Sequence, residues 1–483
     1  MSSFDETLSK RPGELNAYWL KPVAAYLVLA LQCDRPLESA SRYRLEELDE
    51  VLIGRGAALS TSREAVEGRR VLAVRVPDGR ISREHARLVR AGDRWVLEDS
   101  NSKNGVIVNG SVTQRAWLSD GDLFEIGHTF FLYREEAFTG DEESAQSRPQ
   151  PDDVPSVPVP AMLPEGLQTL LPSFERELAK LAKVARTPVP VLLEGETGTG
   201  KELIARGYHY LSGRAGPLIA VNCGALPKTL LEAELFGHKR GAFSGASEDR
   251  SGHVRSAHGG TLLLDEIAEL PFPSQAAFLR VLQEREVVPV GTTRPVSVDF
   301  RLVSATHGDL AALASQGVFR EDLYARLAGF KLRVPPLRSR REDLGLVIPA
   351  ILRRALLDGT EPRHVRLSPD VVRAFFAYKW PHNIRELERC LTTAAALAHD
   401  RIDPEHLPQA IRSELVISTE LDEAESVPML DRPPKDEKHE ELVALLREHR
   451  GNISRVAEAL ATSRAQVHRL MDRYGIEPEK FRQ

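Results

Sequence analysis

Apolar and polar positions follow different rhythms along this chain. In the N-terminal third, short segments such as VLAVRV and RWVLED alternate apolar with polar residues and meet Asn-Gly turns, which predicts the strands of a β-sandwich. In the middle, the runs VLLE, LIAVN, TLLLDE and RLVSAT alternate with helix-like segments, which predicts a parallel sheet with crossover helices. From about 341 to 412 only helical spacing remains, as in LSPDVVRAFFAYKW and NIRELERCLTTAAALA. The final segment, HEELVALLREHRGNISRVAEALATSRAQVHRLMDRYGI, reads as three amphipathic helical stretches. Gly451-Asn452 breaks the first from the second, and Ala461-Thr462-Ser463 makes the turn before the third. Ser463 suits an N-cap there, and Ala457, Leu460, Val467 and Leu470 have core spacing.

Two composition shifts separate these blocks. Residues 135–160 carry seven acidic side chains, one basic one and five prolines, too little apolar surface to offset the entropy of ordering, so a linker is expected. A second polar, proline-containing stretch covers about 413–435. The expected organisation is a sandwich over 23–134, a linker over 135–160 and a central unit over 161–412. That unit divides into an α/β part (161–338) and a helical lid (339–412); a second linker (413–435) leads to a small helical unit (436–483). With 483 residues, two to four domains are the prior expectation. The net charge of −6 means that any nucleic-acid binding must come from a local patch. The three cysteines match no metal spacing and suit a reducing compartment. No apolar run approaches a membrane span and no signal-peptide pattern opens the chain, so a cytoplasmic location is expected.

The strongest local chemistry is VLLEGETGTGKE, residues 191–202. A strand runs into Gly195, Glu196, Thr197, Gly198, Thr199 and Gly200, whose glycines let backbone N–H groups turn toward phosphate oxygens at a helix N-terminus. Lys201 supplies the cation for the terminal phosphates. Glu202 replaces the usual hydroxyl residue and so removes one magnesium-binding group. TLLLDE, ending in Asp265 and Glu266, reads by itself first as a strand capped by solvated acids. Beside a P-loop it points to hydrolysis of ATP, with Asp265 holding Mg2+ and Glu266 polarising water.

These motifs, with VNCGAL, ELFGHKRGAFSGA, FREDLYARL and WPHNIREL, resemble the AAA+ domain of bacterial sigma-54-dependent activators over about 161–412. Glu202 matches that family's own P-loop. The resemblance implies that Asn222 reports γ-phosphate status to Glu266 and that Arg320 and Arg326 are arginine fingers reaching a neighbouring subunit's nucleotide. It implies that Arg385 is a second sensor on the lid, and that His307 stands where the family has the Asn of its first sensor. It further implies a loop, Gly241, Ala242, Phe243, Ser244, Gly245 and Ala246, that touches sigma-54 RNA polymerase from a homo-oligomeric, hexameric ring. Small residues ease backbone change, and a lone phenylalanine offers a compact apolar anchor. Serine stands where the family has threonine.

The N-terminal motifs LIGR, ISREHARL and EDSNSKNGVIVNG resemble the forkhead-associated (FHA) domain, a phosphothreonine-peptide reader. Arg55, Ser82, Arg83 and Asn104 match its peptide-binding positions, His85 its buried structural histidine, and Lys103 departs from its usual threonine. A guanidinium and a hydroxyl suit a dianionic phosphate, and an amide suits the peptide backbone. The C-terminal helices resemble a Fis-type helix-turn-helix, which implies that Arg464, Gln466, His468, Arg469 and Arg473 face upstream DNA. The fold expected is multidomain: an all-β sandwich, an α/β P-loop unit with a helical lid, and an all-α helix-turn-helix. The function expected is ATP-driven activation of sigma-54 polymerase, regulated by a phosphothreonine peptide. Ser244 and His307 keep open a second reading, a DNA-binding repressor or scaffold whose ring does not act on sigma-54.

Overall fold

The computed structural model describes residues 23–137, 167–243, 246–357 and 365–413, together with 445–447, 449 and 456. The positions expected to face DNA, Arg464, Gln466, His468, Arg469 and Arg473, lie outside the described residues, as do Ser244 and Gly245.

The N-terminal unit is a sandwich of two six-stranded sheets. One has the order β2 (Ser41–Arg44), β1 (Val23–Gln32), β12 (Thr129–Ala137), β11 (Leu123–Ile126), β8 (Val106–Val108), β9 (Ser111–Thr113). The other runs β10 (Arg115–Trp117), β7 (Arg94–Asp99), β6 (Ala86–Ala91), β3 (Glu50–Arg55), β5 (Arg69–Val76), β4 (Ser60–Val66). Leu27, Leu29, Phe131 and Tyr133 meet Val51, Ile53, Val74 and Leu88 between the sheets. β12 reaches Ala137 because Glu135 and Glu136 pair with Ala25 and Ala24, so the first three residues of the expected linker belong to the sheet.

The central unit opens with α1 (Pro172–Val184) and is built on a parallel sheet in the order β14 (Leu218–Asn222), β15 (Thr261–Asp265), β18 (Arg301–Thr306), β13 (Val191–Glu194), β19 (Phe330–Arg333). Four of these are the apolar runs read from the sequence; β19 was not singled out. The hairpin β16 (Glu286–Val287) and β17 (Val296–Ser297) lies apart from that sheet. The helices are α2 (Lys201–Ser212), α3 (Lys228–Phe236), α4 (Gly252–Ser256), α5 (Phe272–Glu284), α6 (Leu310–Ser315) and α7 (Glu321–Leu327). Strands covered on both faces read as continuous apolar runs, which is why VLLE and TLLLD show no alternation.

The lid contains α8 (Leu344–Leu357), α9 (Pro369–Ala377) and α10 (Asn383–Leu397). Helical patterning hid one feature: β20 (Arg366–Leu367) and β21 (Arg401–Ile402) form a two-residue parallel pair, too short to impose a period of two. Lid and sandwich are not separate bodies. Val28, Ala30, Phe130 and Leu132, on the outer face of the first sheet, share one apolar core with Ile348, Leu352, Phe375 and Phe376 of the lid. No helix among the described residues is long and apolar enough to cross a membrane.

Candidate functional site

In an open parallel sheet, loops at the carboxyl ends of the strands converge at one edge, where ligands bind. The P-loop follows β13, Asn222 ends β14, Asp265 ends β15 and His307 follows β18, so this topology brings all of them to that edge. Gly198 and Gly200 have φ of 78° and 99°, left-handed values that favour glycine. A side chain on Gly198 would also stand 2.3 Å from the His382 carbonyl oxygen, so the lid closes directly over the loop.

Lys201 is buried at the start of α2, and its Nζ donates to the carbonyls of Gly195 (2.7 Å) and Glu196 (3.1 Å). Burial pulls its ammonium below the ordinary lysine value, against the opposing pull of Glu266 and Asp265. Thr199 Oγ1 donates to the Glu196 carbonyl (2.8 Å), closing the loop on itself. Glu196 is gripped by Arg338 (2.8 Å) and by Asn383 Nδ2 (3.1 Å), hydrogen bonds that hold its carboxyl down at about 2. Asn383 also donates to the Thr197 carbonyl (3.1 Å), and Ile384 N–H to the Gly198 carbonyl (2.9 Å). Arg385 follows, exposed, its Cβ 3.1 Å from where a Gly198 Cβ would stand. Glu202 pairs with Arg206 one turn along α2.

Burial first, then the adjacent Glu266 charge, pushes the Asp265 carboxyl upward. Glu266 has φ 52° and ψ 48°, a left-handed conformation that costs a non-glycine residue on the order of 1 kcal/mol and turns its carboxylate off the strand axis. That carboxylate meets His307 Nδ1 at 2.5 Å. Asn222, expected to report to Glu266, instead accepts from the N–H groups of Gly224 (2.9 Å) and Ala225 (3.0 Å), so its amide caps the turn after β14. In this conformation the partner of Glu266 is the imidazole.

Arg320 caps the start of α7 and Arg326 lies in its last turn. Arg320 pairs with Asp322 and lies over the Phe272 ring, while Arg326 reaches the Leu282 carbonyl (3.4 Å), so both contact α5 or their own helix. Gly241, at φ 80°, donates its N–H to the Ala246 carbonyl (2.9 Å), and Ala246 N–H donates to the Phe243 carbonyl (3.1 Å). Phe243 is half-buried, edge-on to His238 with ring centroids 5.0 Å apart. Ala242 sits against Gly291 in the loop between β16 and β17.

On the loops of the sandwich, Arg55, Arg83 and Asn104 are exposed and Ser82 half-buried around one open groove that Lys103 also lines. A side chain on Gly54 would stand 1.9 Å from the Arg83 carbonyl, so the two loops touch through backbone. His85 is fully buried, accepting from Ser82 N–H (2.9 Å) and facing the Gly105 carbonyl (3.0 Å); it holds the loops and does not face the groove. Asn104 Nδ2 donates to the Arg80 carbonyl (2.7 Å). Arg75, absent from the sequence reading, donates to the Arg83 carbonyl (2.6 Å) and lines the neighbouring groove with Arg55. Arg338, Arg340 and Asn383 were missed as well. The run RSRRED after β19 was visible, but nothing in it tells which arginines turn inward.

A family model of the sigma-54 interaction domain matches residues 168–333, one of the AAA+ ATPase lid domain matches 338–423, and one of the FHA domain matches 51–127. The chain is 42% identical over 303 residues to the regulatory protein AtoC of Escherichia coli, covering 62% of this chain and 65% of that protein. It is 38% identical over 321 residues to the transcriptional regulatory protein GlrR of Escherichia coli, covering 66% of this chain and 70% of that one. A crystal structure of NtrX from Brucella abortus in complex with ADP aligns at 30% identity and a TM-score of 0.46, covering 62% of this chain and 68% of that one. The chain spans just under two thirds of AtoC's length, and 52% of the NtrC regulator of a Bradyrhizobium, to which it is 44% identical over 249 residues. The chain belongs to the family of sigma-54-dependent transcriptional activators, and carries that family's AAA+ ATPase domain and lid together with an FHA domain.

Proposed function

We propose that this chain couples ATP hydrolysis to remodelling of sigma-54 RNA polymerase, under the control of a phosphothreonine peptide at its FHA groove. The observation that carries the reading is the convergence of Lys201, Asp265, Glu266 and Arg385 on one sheet edge, with the Phe243 turn on a separate loop of the same domain. The edge fits magnesium-bound ATP. A buried ammonium and a glycine cradle suit a polyphosphate, and burial and the adjacent Glu266 raise the Asp265 carboxyl despite the pull of Lys201, so a further cation there would relieve it. Mg2+ takes one or two carboxylates and completes its shell with phosphates and water, which Asp265 beside a phosphate cradle would provide. Bound there, magnesium supplies Lewis-acid neutralisation of phosphate charge. Lys201 binds the terminal phosphates, Asp265 holds the ion, and Glu266 orients water and takes its proton, steadied by His307 or Asn222. Arg385 senses phosphate from the lid.

Arg320 and Arg326 act on a neighbouring subunit's nucleotide in a homo-oligomeric ring, which makes hydrolysis depend on assembly. Phe243, stowed against His238, swings out to grip sigma-54. Arg55 and Ser82 hold the phosphate, Arg83 and Asn104 the peptide. The C-terminal segment binds upstream DNA through Arg464, Gln466, His468, Arg469 and Arg473.

Open-complex formation by sigma-54 polymerase with ATP tests this. Glu266→Gln is expected to abolish turnover while retaining ATP binding. Phe243→Ala is expected to keep hydrolysis near the parental rate and lose open complexes, because truncating a buried aromatic anchor costs about 2 kcal/mol or more of partner affinity, roughly a thirtyfold loss. Promoter occupancy without ATP-dependent opening by the parent would instead favour the repressor or scaffold.

A further inference from the structure

The seam between sandwich and lid does more than bury apolar surface. Phe130 of β12 stacks on Phe376 of α9, centroids 6.4 Å apart and planes within 2°. A side chain on Gly345 would stand 2.1 Å from the Ala30 carbonyl, so the start of α8 lies directly on β1. Leu367 N–H of β20 donates to the Cys33 carbonyl (2.9 Å), and Arg373 of α9 grips the buried Glu125 of β11 through two hydrogen bonds of 2.6 and 2.7 Å.

One short segment of this seam also reaches the nucleotide cradle. Residues 337–343 form two turns of 3₁₀ helix between β19 and α8. Arg338 grips Glu196, and the buried Arg340 donates from Nη2 to the Thr199 carbonyl (2.6 Å), so two side chains of the segment fix the P-loop. Two residues along, Glu342 is 1% exposed and its carboxylate takes a 2.6 Å hydrogen bond from Arg134 of β12 in the FHA unit. Asp343, fully buried, is satisfied separately by Leu170 N–H (2.6 Å) and Thr169 Oγ1 (2.8 Å). A buried carboxylate costs several kcal/mol unless it is paired, so the position of this segment depends on the cation opposite Glu342.

We propose that Arg134 and Glu342 are positioning residues for the ATPase: the FHA unit, through this pair, holds residues 337–343 so that Arg338 and Arg340 keep the P-loop in its phosphate-binding shape. The FHA domain is thereby a working part of the nucleotide site. This goes beyond peptide reading, and it holds whether or not the groove binds phosphothreonine.

The test uses the full chain, with ADP binding measured by calorimetry at fixed Mg2+ and ATP turnover measured alongside. Arg134→Met is expected to raise the ADP Kd and the ATP KM about tenfold while kcat changes less than twofold; Arg134→Lys, which keeps the cation, stays within threefold. Stranding Glu342 could unfold the seam, so the decisive comparison is made without that charge. Glu342→Gln keeps a hydrogen bond to Arg134 and is expected to hold the parental Kd within twofold. Adding Arg134→Met to it leaves neither member of the pair charged, and is expected to raise Kd at least threefold over Glu342→Gln alone. An unchanged Kd in that double variant, with the chain folded by circular dichroism, overturns the proposal, and so does a loss confined to thermal stability.

Discussion

Arginines mark both the loop groove of the sandwich and its seam with the lid, and the two sets live under opposite conditions. At the groove, Arg55 and Arg83 are exposed, and their guanidinium groups make no hydrogen bond or ion pair among the described residues. At the seam, Arg134 and Arg373 each grip a carboxylate of the neighbouring layer, and across it Arg340 is buried between Asp343 and the Thr199 carbonyl. A guanidinium left unpaired on the surface loses little by waiting for an anion. One taken out of water must be matched by a fixed acceptor, because desolvation outweighs any contact that is only approximate. The same side chain is therefore free to meet an anion at the groove and is committed to fixing two domains against each other at the seam.

This contrast makes the seam the more fragile place. Replacing Arg340 with Met removes the grip on Thr199 and strips Asp343 of its cation. Asp343 keeps its bonds from Leu170 and Thr169, so the loss is expected at about 3 kcal/mol, the low end for breaking a buried pair. Denaturant unfolding followed by lid and sandwich probes would measure it, and ADP binding should weaken in the same protein. A change below about 1 kcal/mol would mean that the seam tolerates loose partners as the surface does.

Arg55→Ala is the matching change at the groove, and its effect should fall almost wholly on the ligand. Stability should shift by no more than about 0.5 kcal/mol, as for other exposed positions. Affinity for a phosphothreonine peptide should drop by about 1.5–3 kcal/mol, the range for a charge-assisted hydrogen bond, or roughly ten- to a hundredfold. Calorimetry with phosphorylated and plain versions of one peptide separates the two; equal binding of both by the parent would remove the groove's assigned role.

How far the sequence reveals these places depends on how local their chemistry is. The P-loop was legible because strand, glycines and lysine are contiguous, and the groove because its residues lie in three short motifs. The seam was not. Yet one trace of it was there: VAAYLVLALQ, which forms β1, is apolar at nearly every position, the mark of a strand buried on both faces, unlike the one-sided alternation of β5. That run says the outer face is covered without saying by what. Glu125 and Glu342 look like ordinary solvated acids, because pairing across more than 200 residues leaves no local pattern. The contact between Glu266 and His307 was hidden for a related reason. A family motif assigns a residue to a task, but which side chain holds Glu266 in a given conformation is decided by tertiary geometry, and here it is His307.

The seam should also show a pH dependence that the groove lacks. Burial pushes the Glu342 carboxyl from 4.5 to about 7, outweighing the attraction of Arg134. Asp343 on its own segment and Asp120 on the sandwich push the same way, while Arg341 lies beside it, its own guanidinium pulled down by burial. The folded chain thus holds a proton that the unfolded chain releases earlier. Below about pH 4.5 both states are protonated and the residue costs nothing. As pH rises toward 7 the unfolded state gains from ionising while the folded state does not, so stability falls across that window and is level above it. Glu342→Gln has no proton to release. Relative to the parent it should be within about 1 kcal/mol at pH 5 and more stable by roughly 3 kcal/mol at pH 8, the linkage of a carboxyl moved from 4.5 to about 7. The readout is the difference in thermal midpoint between the two proteins, which cancels carboxylates common to both. A parent that gains stability over the variant as pH rises would show that Arg134 overcomes burial, and that the seam holds its charges as comfortably as an exposed pair.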